Sequence, residues 1–322
     1  MEDFVNIIIL DGYCLNHGDL DWSGFEKLGD VTIYDRTPYE KIVERMGDAP
    51  IMITNKCSID KKIIDALPQL KYVGALATGY NNIDCDYARE KGIVVTNIPS
   101  YSTESVVQSV FGIMIELFSK IGAHNASVKN GDWVQSPDFC YYFDGIKELA
   151  NKTLGIIGYG SIGRRVATVA RAFGMKVVAY SRHKTQDDSE GFRFADSIEE
   201  VLEKSDVISL NCPLTKENTG FINEEAISKM KRGAYIINTA RGGLVDEKAV
   251  AQALNDGRLG GFGADVLSTE PPKIDNPLLN AKNTIITPHT AWATQEARSR
   301  LMEIAINNLS SFLNGEETNR VN

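Results

Sequence analysis

Thr153-Leu-Gly-Ile-Ile-Gly158-Tyr-Gly160-Ser-Ile-Gly163 is the stretch that decides the fold of this chain. It reads as an apolar strand, a glycine turn and the start of a helix, in that order. Leu154, Ile156 and Ile157 suit a buried parallel strand. Gly158 allows the tight turn, Gly160 lets a pyrophosphate approach the backbone, and Gly163 lets the helix pack close to the strand. The helix N-terminus then faces the phosphates with free N–H groups and the positive end of its dipole. A glycine-rich hexapeptide alone recurs by chance. The strand before it and the helix after it make this one a dinucleotide-binding turn.

Downstream of the turn, strands at Lys176–Tyr180, Val207–Leu210, Ala234–Ile237, Gly261–Ala264 and Thr284–Ile286 alternate with helical patterns. The helices fit near Ile162–Ala172, Ile198–Glu203, Glu224–Met230 and Lys248–Asn255. This is the rhythm of a doubly wound dinucleotide fold. Upstream, Val5–Leu10, Val31–Tyr34, Ile51–Ile53, Tyr72–Ala75 and Ile93–Val95 are short apolar runs, with helical segments near Glu40–Met46, Lys61–Leu67 and Asp84–Lys91. They imply a second parallel sheet with crossover helices. The fold class is therefore α/β, with two doubly wound parallel-sheet domains.

Between the two series, Thr103–Ile121 reads as a long helix capped by Ser102 or Thr103. Its apolar residues wrap more than one stripe, so it is buried on several sides. Part of that surface is expected at a subunit interface, with Phe111 outward; burial within one chain is the alternative. Trp292–Leu313 reads as an amphipathic C-terminal helix.

The chain has 322 residues, more than one core usually holds. A net charge of −9 argues against a nucleic-acid binder. No apolar run reaches membrane-spanning length, and Met1-Glu-Asp-Phe lacks the basic start of a signal peptide. Cys14, Cys57, Cys85, Cys140 and Cys212 are scattered with no C-x-x-C pair, which fits reduced thiols of a cytoplasmic protein and no structural metal.

Catalysis is expected at the carboxyl ends of the second series of strands. Three ends carry unusual residues. Ala234–Ile237 runs into Asn238-Thr-Ala-Arg241-Gly-Gly243, Gly261–Ala264 into Asp265-Val-Leu-Ser-Thr-Glu270, and Thr284–Ile286 into Thr287-Pro-His289. A carbonyl that accepts hydride must also gain a proton, and histidine serves near neutral pH. Among His17, His124, His183 and His289, only His289 follows a strand end here. Glu270 can hold one ring nitrogen and favour the imidazolium. Arg241 offers a planar fork to a substrate carboxylate. Taken singly, each is also readable as an ordinary surface polar residue.

These motifs, with Asn211-Cys-Pro-Leu-Thr and Pro288-His289, resemble the D-isomer-specific 2-hydroxyacid dehydrogenases over essentially the whole chain. Leu76-Ala-Thr-Gly-Tyr-Asn, Ser136-Pro-Asp-Phe-Cys140 and His289-Thr-Ala-Trp292 resemble the glycerate dehydrogenase, or hydroxypyruvate reductase, branch. The resemblance implies a flavodoxin-like substrate domain (1–101 and 290–322) and a Rossmann NAD(P)-binding domain (102–289), with a cleft between them that closes on substrate. It implies a homodimer built through the long helix. It assigns Arg241 as substrate anchor, Glu270 as the imidazole's partner and His289 as acid/base. The backbone N–H groups of Ala77, Thr78 and Gly79 would hold the substrate carboxylate. Ser161 and Ile162, beside Gly158, Gly160 and Gly163, would meet the pyrophosphate. Cys212, Pro213 and Asn218 would line the adenosine side, and Thr239, Ala240 and Asp265 the nicotinamide end.

One departure concerns the coenzyme. An NAD-preferring fold puts an acid at the end of the second strand, on the ribose 2′-OH. Here Ser181 stands there, followed by Arg182, which suits a 2′-phosphate. NADP(H) is therefore slightly favoured over NAD(H). The expected reaction is reversible reduction of a small 2-keto acid, hydroxypyruvate or glyoxylate, to its D-2-hydroxy acid. A larger 2-keto acid, or a dinucleotide-sensing protein without turnover, are the other readings.

Overall fold

The computed structural model describes residues 5–184 and 187–322, so the Met1–Phe4 start lies outside it. The chain divides into two compact units. One comprises residues up to Ser102 together with Ala293–Asn322, and the other is Thr103–Trp292.

In the discontinuous unit the strands are β1 (Asn6–Ile9), β2 (Asp30–Ile33), β3 (Ile51–Thr54), β4 (Tyr72–Ala75) and β5 (Val94–Thr96). They pair in the order β2-β1-β3-β4-β5, all parallel. This is the flavodoxin-like order. Every residue of β3 and β4 is buried, as expected of a sheet covered on both faces. The crossover helices Lys61–Ala66 and Cys85–Glu90 start where the side chains of Asp60 and Asp84 accept the N–H groups of Ile63 and Tyr87. The returning helix is Gln295–Leu313, three residues shorter at its start than the apolar pattern suggests. The reason is Thr294, whose hydroxyl caps it by accepting the Ala297 N–H. The ring of Phe312 then lies 4.8 Å from that of Tyr72 on β4. The returning chain also covers the edge strand. Arg320 bridges Thr96, Val321 N–H bonds to Val95 O, and the Asn322 side chain bonds both Val95 N–H and Ile93 O.

The second unit holds β6 (Thr153–Ile157), β7 (Lys176–Tyr180), β8 (Phe192–Phe194), β9 (Val207–Leu210), β10 (Ala234–Asn238), β11 (Leu259–Ala264) and β12 (Thr284–Ile286). Their order is β12-β11-β10-β9-β6-β7-β8, all parallel. This is the Rossmann order with one further strand, and the order in which successive strands are added switches sides between β6 and β9. The sequence reading did not foresee β8. It is a three-residue edge strand whose Phe192 and Phe194 rings pack on Tyr159.

The long helix is Thr103–Ser119 and ends where Lys120 takes a left-handed backbone. A separate helix, Ile121–Lys129, follows at a bend of 61°. The apolar surface of Thr103–Ser119 is consumed within its own unit, against β10, β11, β12 and the helix Ser161–Ala172. Phe111, expected outward, is 5% exposed and stacks on Phe173 at 5.4 Å. Past the bend, Trp133, Val134, Phe139 and Tyr142 form one run of exposed apolar side chains; others, such as Ile274, stand exposed elsewhere in the chain. Among the described residues no single helix is long and apolar enough to cross a membrane.

Candidate active site

The glycine turn sits at the carboxyl end of β6, at the reversal point of the seven-stranded sheet. Its three glycines meet different demands. Gly158 has φ +99°, and a Cβ there would lie 2.6 Å from the Asn211 carbonyl carbon. A Cβ at Gly163 would lie 2.1 Å from the Gly158 oxygen. At Gly160 a Cβ would meet nothing within 4 Å. The protein thus fills the space beside the first and third glycines and leaves the space beside the second open. No side chain caps the helix Ser161–Ala172 that starts there. An open cradle before uncapped N–H groups fits a pyrophosphate. Ser161 is exposed and Ile162 half-buried at this mouth.

Around it, the Asn218 amide is engaged within its own loop, donating to Pro213 O at 2.8 Å and accepting the Thr215 N–H at 2.7 Å. It holds the Cys212–Asn218 wall in shape. Burial pushes the Cys212 thiol up, which leaves it protonated and suits a wall better than a nucleophile. At the end of β7, the Ser181 hydroxyl accepts the His183 N–H at 3.4 Å. Arg182 is exposed, makes no hydrogen bond or ion pair among the described residues, and lies within electrostatic reach of Cys212 and Glu217.

The ends of β10, β11 and β12 lie side by side. After β10, fully buried Asn238 folds the turn that carries Arg241. Its Nδ2 donates to Arg241 O at 2.9 Å and its Oδ1 accepts the Ala240 N–H at 3.1 Å. Thr239 and Ala240 are half-buried in this turn, and the Arg241 side chain is exposed. Gly242 then packs backbone to backbone on the next loop, because a Cβ there would sit 1.9 Å from the Leu267 carbonyl carbon. The Leu267 N–H donates to Glu270 Oε1 at 3.0 Å. Glu270 Oε2 meets His289 Nδ1 at 2.6 Å. Arg241, Glu270 and His289 are therefore joined through one chain of contacts. With Nδ1 held by the carboxylate, Nε2 is the nitrogen left for chemistry.

Asp265 is 2% exposed and holds the His289 loop. Its carboxylate accepts from the Thr287 hydroxyl at 2.5 Å and from the N–H groups of Thr290 and Ala291 at 2.8 Å each, and its carbonyl accepts the His289 N–H at 2.9 Å. Three donors occupy all but one of the carboxylate's lone-pair positions among the described residues. His289 itself has φ +56°, a left-handed backbone these bonds sustain.

In the other unit, the turn after β4 has its carbonyls fixed one by one. Leu76 O accepts Asn55 Nδ2 at 2.7 Å, Ala77 O accepts the Ile98 N–H at 3.0 Å, and Thr78 O accepts Asn97 Nδ2 at 2.8 Å. The N–H groups of Ala77, Thr78 and Gly79 have no acceptor among the described residues. Three successive free donors suit a carboxylate.

A family model described as the NAD-binding domain of D-isomer specific 2-hydroxyacid dehydrogenases matches residues 111–291. The chain belongs to the D-isomer-specific 2-hydroxyacid dehydrogenases. A hydroxypyruvate reductase of Blautia hydrogenotrophica is 48% identical over 99% of this chain and 100% of that protein. An acyclic imino acid reductase solved with NADPH and D-Arg superposes with a TM-score of 0.84 at 31% identity, over 99% of each chain. A D-lactate dehydrogenase of Aquifex aeolicus, solved with NAD and lactic acid, gives 0.81 at 32% identity over 96% of each chain.

Sequence reasoning about this dehydrogenase quoted Asn238 and Asp265 within motifs without seeing that they build the loops carrying Arg241 and His289. It read Asn97 only as the start of a break in the strand pattern, and it missed Asn55 and Asp11 altogether. A buried polar residue just past a strand end was the available signal, since such a group needs partners.

Proposed function

We propose that this dehydrogenase reduces hydroxypyruvate, and glyoxylate alongside it, to the D-2-hydroxy acid, and runs the reaction in reverse. The carrying observation is the 2.6 Å contact between His289 Nδ1 and Glu270, which leaves Nε2 to pass a proton to the substrate oxygen. Arg241 binds the substrate carboxylate with its fork and polarises the adjacent carbonyl. In the other unit, the free N–H groups of Ala77, Thr78 and Gly79 are the backbone donors for a substrate carboxylate. Glu270 fixes the imidazole's orientation and offsets its positive charge. The nicotinamide coenzyme, when bound, supplies or accepts the hydride at the carbonyl carbon. We assign Thr103–Trp292 the coenzyme and the discontinuous unit the substrate. The hydroxypyruvate reductase at 48% identity supports the choice of acid. A screen of hydroxypyruvate, glyoxylate, pyruvate and larger 2-keto acids, scored by kcat/KM with each coenzyme, tests it. A larger acid preferred by more than about tenfold overturns the assignment, and dinucleotide binding without turnover of any acid favours a sensor.

For the coenzyme we propose a lean to NADP(H), supported by Ser181 in place of an acid and by the uncommitted Arg182. Charge-assisted bonds to a 2′-phosphate are worth about 1.5–3 kcal/mol each, or roughly tenfold to a hundredfold. Ser181→Asp with Arg182→Ala shifts kcat/KM toward NADH by that order. Strong preference for NADH in the unmodified enzyme defeats this reading. A homodimer through the exposed Trp133–Tyr142 region, and a cytoplasmic setting suited to five free cysteines, complete the proposal. Phe139→Ser with Val134→Ser should yield monomer in sedimentation; an unmodified protein already monomeric at micromolar concentration would sink the dimer.

A further inference from the structure

A trans peptide points its C=O and the following N–H in opposite directions. Whatever pins a carbonyl therefore aims the next residue's N–H. In the turn after β4, Ala77 O is pinned by the backbone of Ile98, and this aims the Thr78 N–H. The other two carbonyls are pinned by side chains. Asn55 Nδ2 pins Leu76 O and so aims the Ala77 N–H; Asn97 Nδ2 pins Thr78 O and so aims the Gly79 N–H.

Both asparagines are themselves seated. Asn55 is 4% exposed and follows β3. Its backbone N–H and that of Lys56 donate to the carboxylate of Asp11, at 2.8 and 2.6 Å, past the end of β1. Asn55 Oδ1 is buried and has no partner among the described residues. An amide with an unsatisfied buried oxygen is a poor device for stability alone. What it achieves is the bond to Leu76 O. Asn97, past β5, donates its N–H to Asn319 O, and its carbonyl accepts Asn308 Nδ2 at 2.9 Å from the returning helix.

We propose that Asn55 and Asn97 are positioning residues for substrate: each aims one backbone N–H at the carboxylate from opposite flanks of the turn. This rests on the reading that the Ala77–Gly79 turn takes that carboxylate. Asn55→Leu keeps the volume and removes the donor, and Asn97→Ala removes the other. Each should raise the KM for hydroxypyruvate about tenfold, the order of one charge-assisted bond, with kcat within about threefold and coenzyme affinity unchanged. Hydrogen exchange with the coenzyme and oxamate, a non-reacting 2-keto acid analogue, separates the two claims. The unmodified enzyme should show oxamate protection of the peptide over residues 76–82, and both variants should lose most of it. If oxamate protects that peptide equally in the variants, or their KM is unchanged, the positioning role is wrong while the turn stays. If oxamate gives no protection in the unmodified enzyme, the turn reading fails and takes the proposal with it. Should Asn55→Leu fold poorly by thermal melt, Asn55→Ala takes its place with the same criteria.

Discussion

In the function proposed above, the rim of the seven-stranded sheet and the turn after β4 each handle a small anion, and they do so with different atoms. On the rim the chemistry is in side chains: the Arg241 fork, the Glu270 carboxylate and the His289 ring. On the turn it is in backbone N–H groups, and the side chains that matter belong to residues 20 or so positions away in sequence, such as Asn55 and Asn97. A site made of side chains is destroyed by changing its own residues. A site made of backbone tolerates that and is disturbed by changing its neighbours.

Four substitutions test this contrast. His289→Asn removes the proposed proton donor, and kcat should fall by about 10²–10⁴ with coenzyme affinity nearly intact. Near-normal turnover in stopped-flow assays would take His289 out of the mechanism. Glu270→Gln keeps the shape and removes the charge facing the ring. A charge-assisted bond of about 1.5–3 kcal/mol sets the expected loss in kcat at roughly tenfold to a hundredfold. Equal kcat for the two proteins would make the 2.6 Å contact incidental. Arg241→Lys retains the positive charge but not the fork, so kcat/KM should drop by about tenfold; full activity with lysine means that no bidentate grip exists. The smallest effect is expected within the turn itself. Thr78→Ala deletes the hydroxyl that donates to Ile98 O at 2.6 Å and leaves every backbone N–H in place. KM should move by less than about threefold, within the range of one neutral hydrogen bond. A loss as large as that of Arg241→Lys would erase the distinction between the two regions.

The same contrast explains what the sequence disclosed. Strand ends on the rim were legible because apolar runs stop abruptly at Asn238, Asp265 and Thr287, and the residues that follow carry recognisable chemistry. The strand rhythm of both sheets was legible too, apart from the three-residue edge strand β8, since buried parallel strands are short unbroken apolar runs. The support for the turn was not legible. Asp11 and Asn55 are 44 residues apart, and Asn55 and Leu76 are 21 apart. No local spacing rule joins such pairs; only the β1-β3-β4 adjacency does. The long helix misled for a related reason. An apolar surface all round signals burial but not by what, and here strands β10 to β12 and Phe173 supply the cover. The break at Lys120 left no mark that composition could show, because a left-handed lysine is sustained by its surroundings and is not a preference of the residue.

The stitching of residues 320–322 onto β5 sets an order of assembly. On a ribosome the five strands of the first unit emerge early, yet β5 keeps an open edge until the chain has been made through residue 322. The whole of Thr103–Trp292 is synthesised in the interval, and it can close on its own core first. The unit begun first is then completed last, and an unpaired parallel edge waits exposed meanwhile, a known invitation to wrong pairing. Cutting the chain after Gly315 should therefore harm yield and solubility during expression more than it lowers the melting temperature of whatever protein does fold.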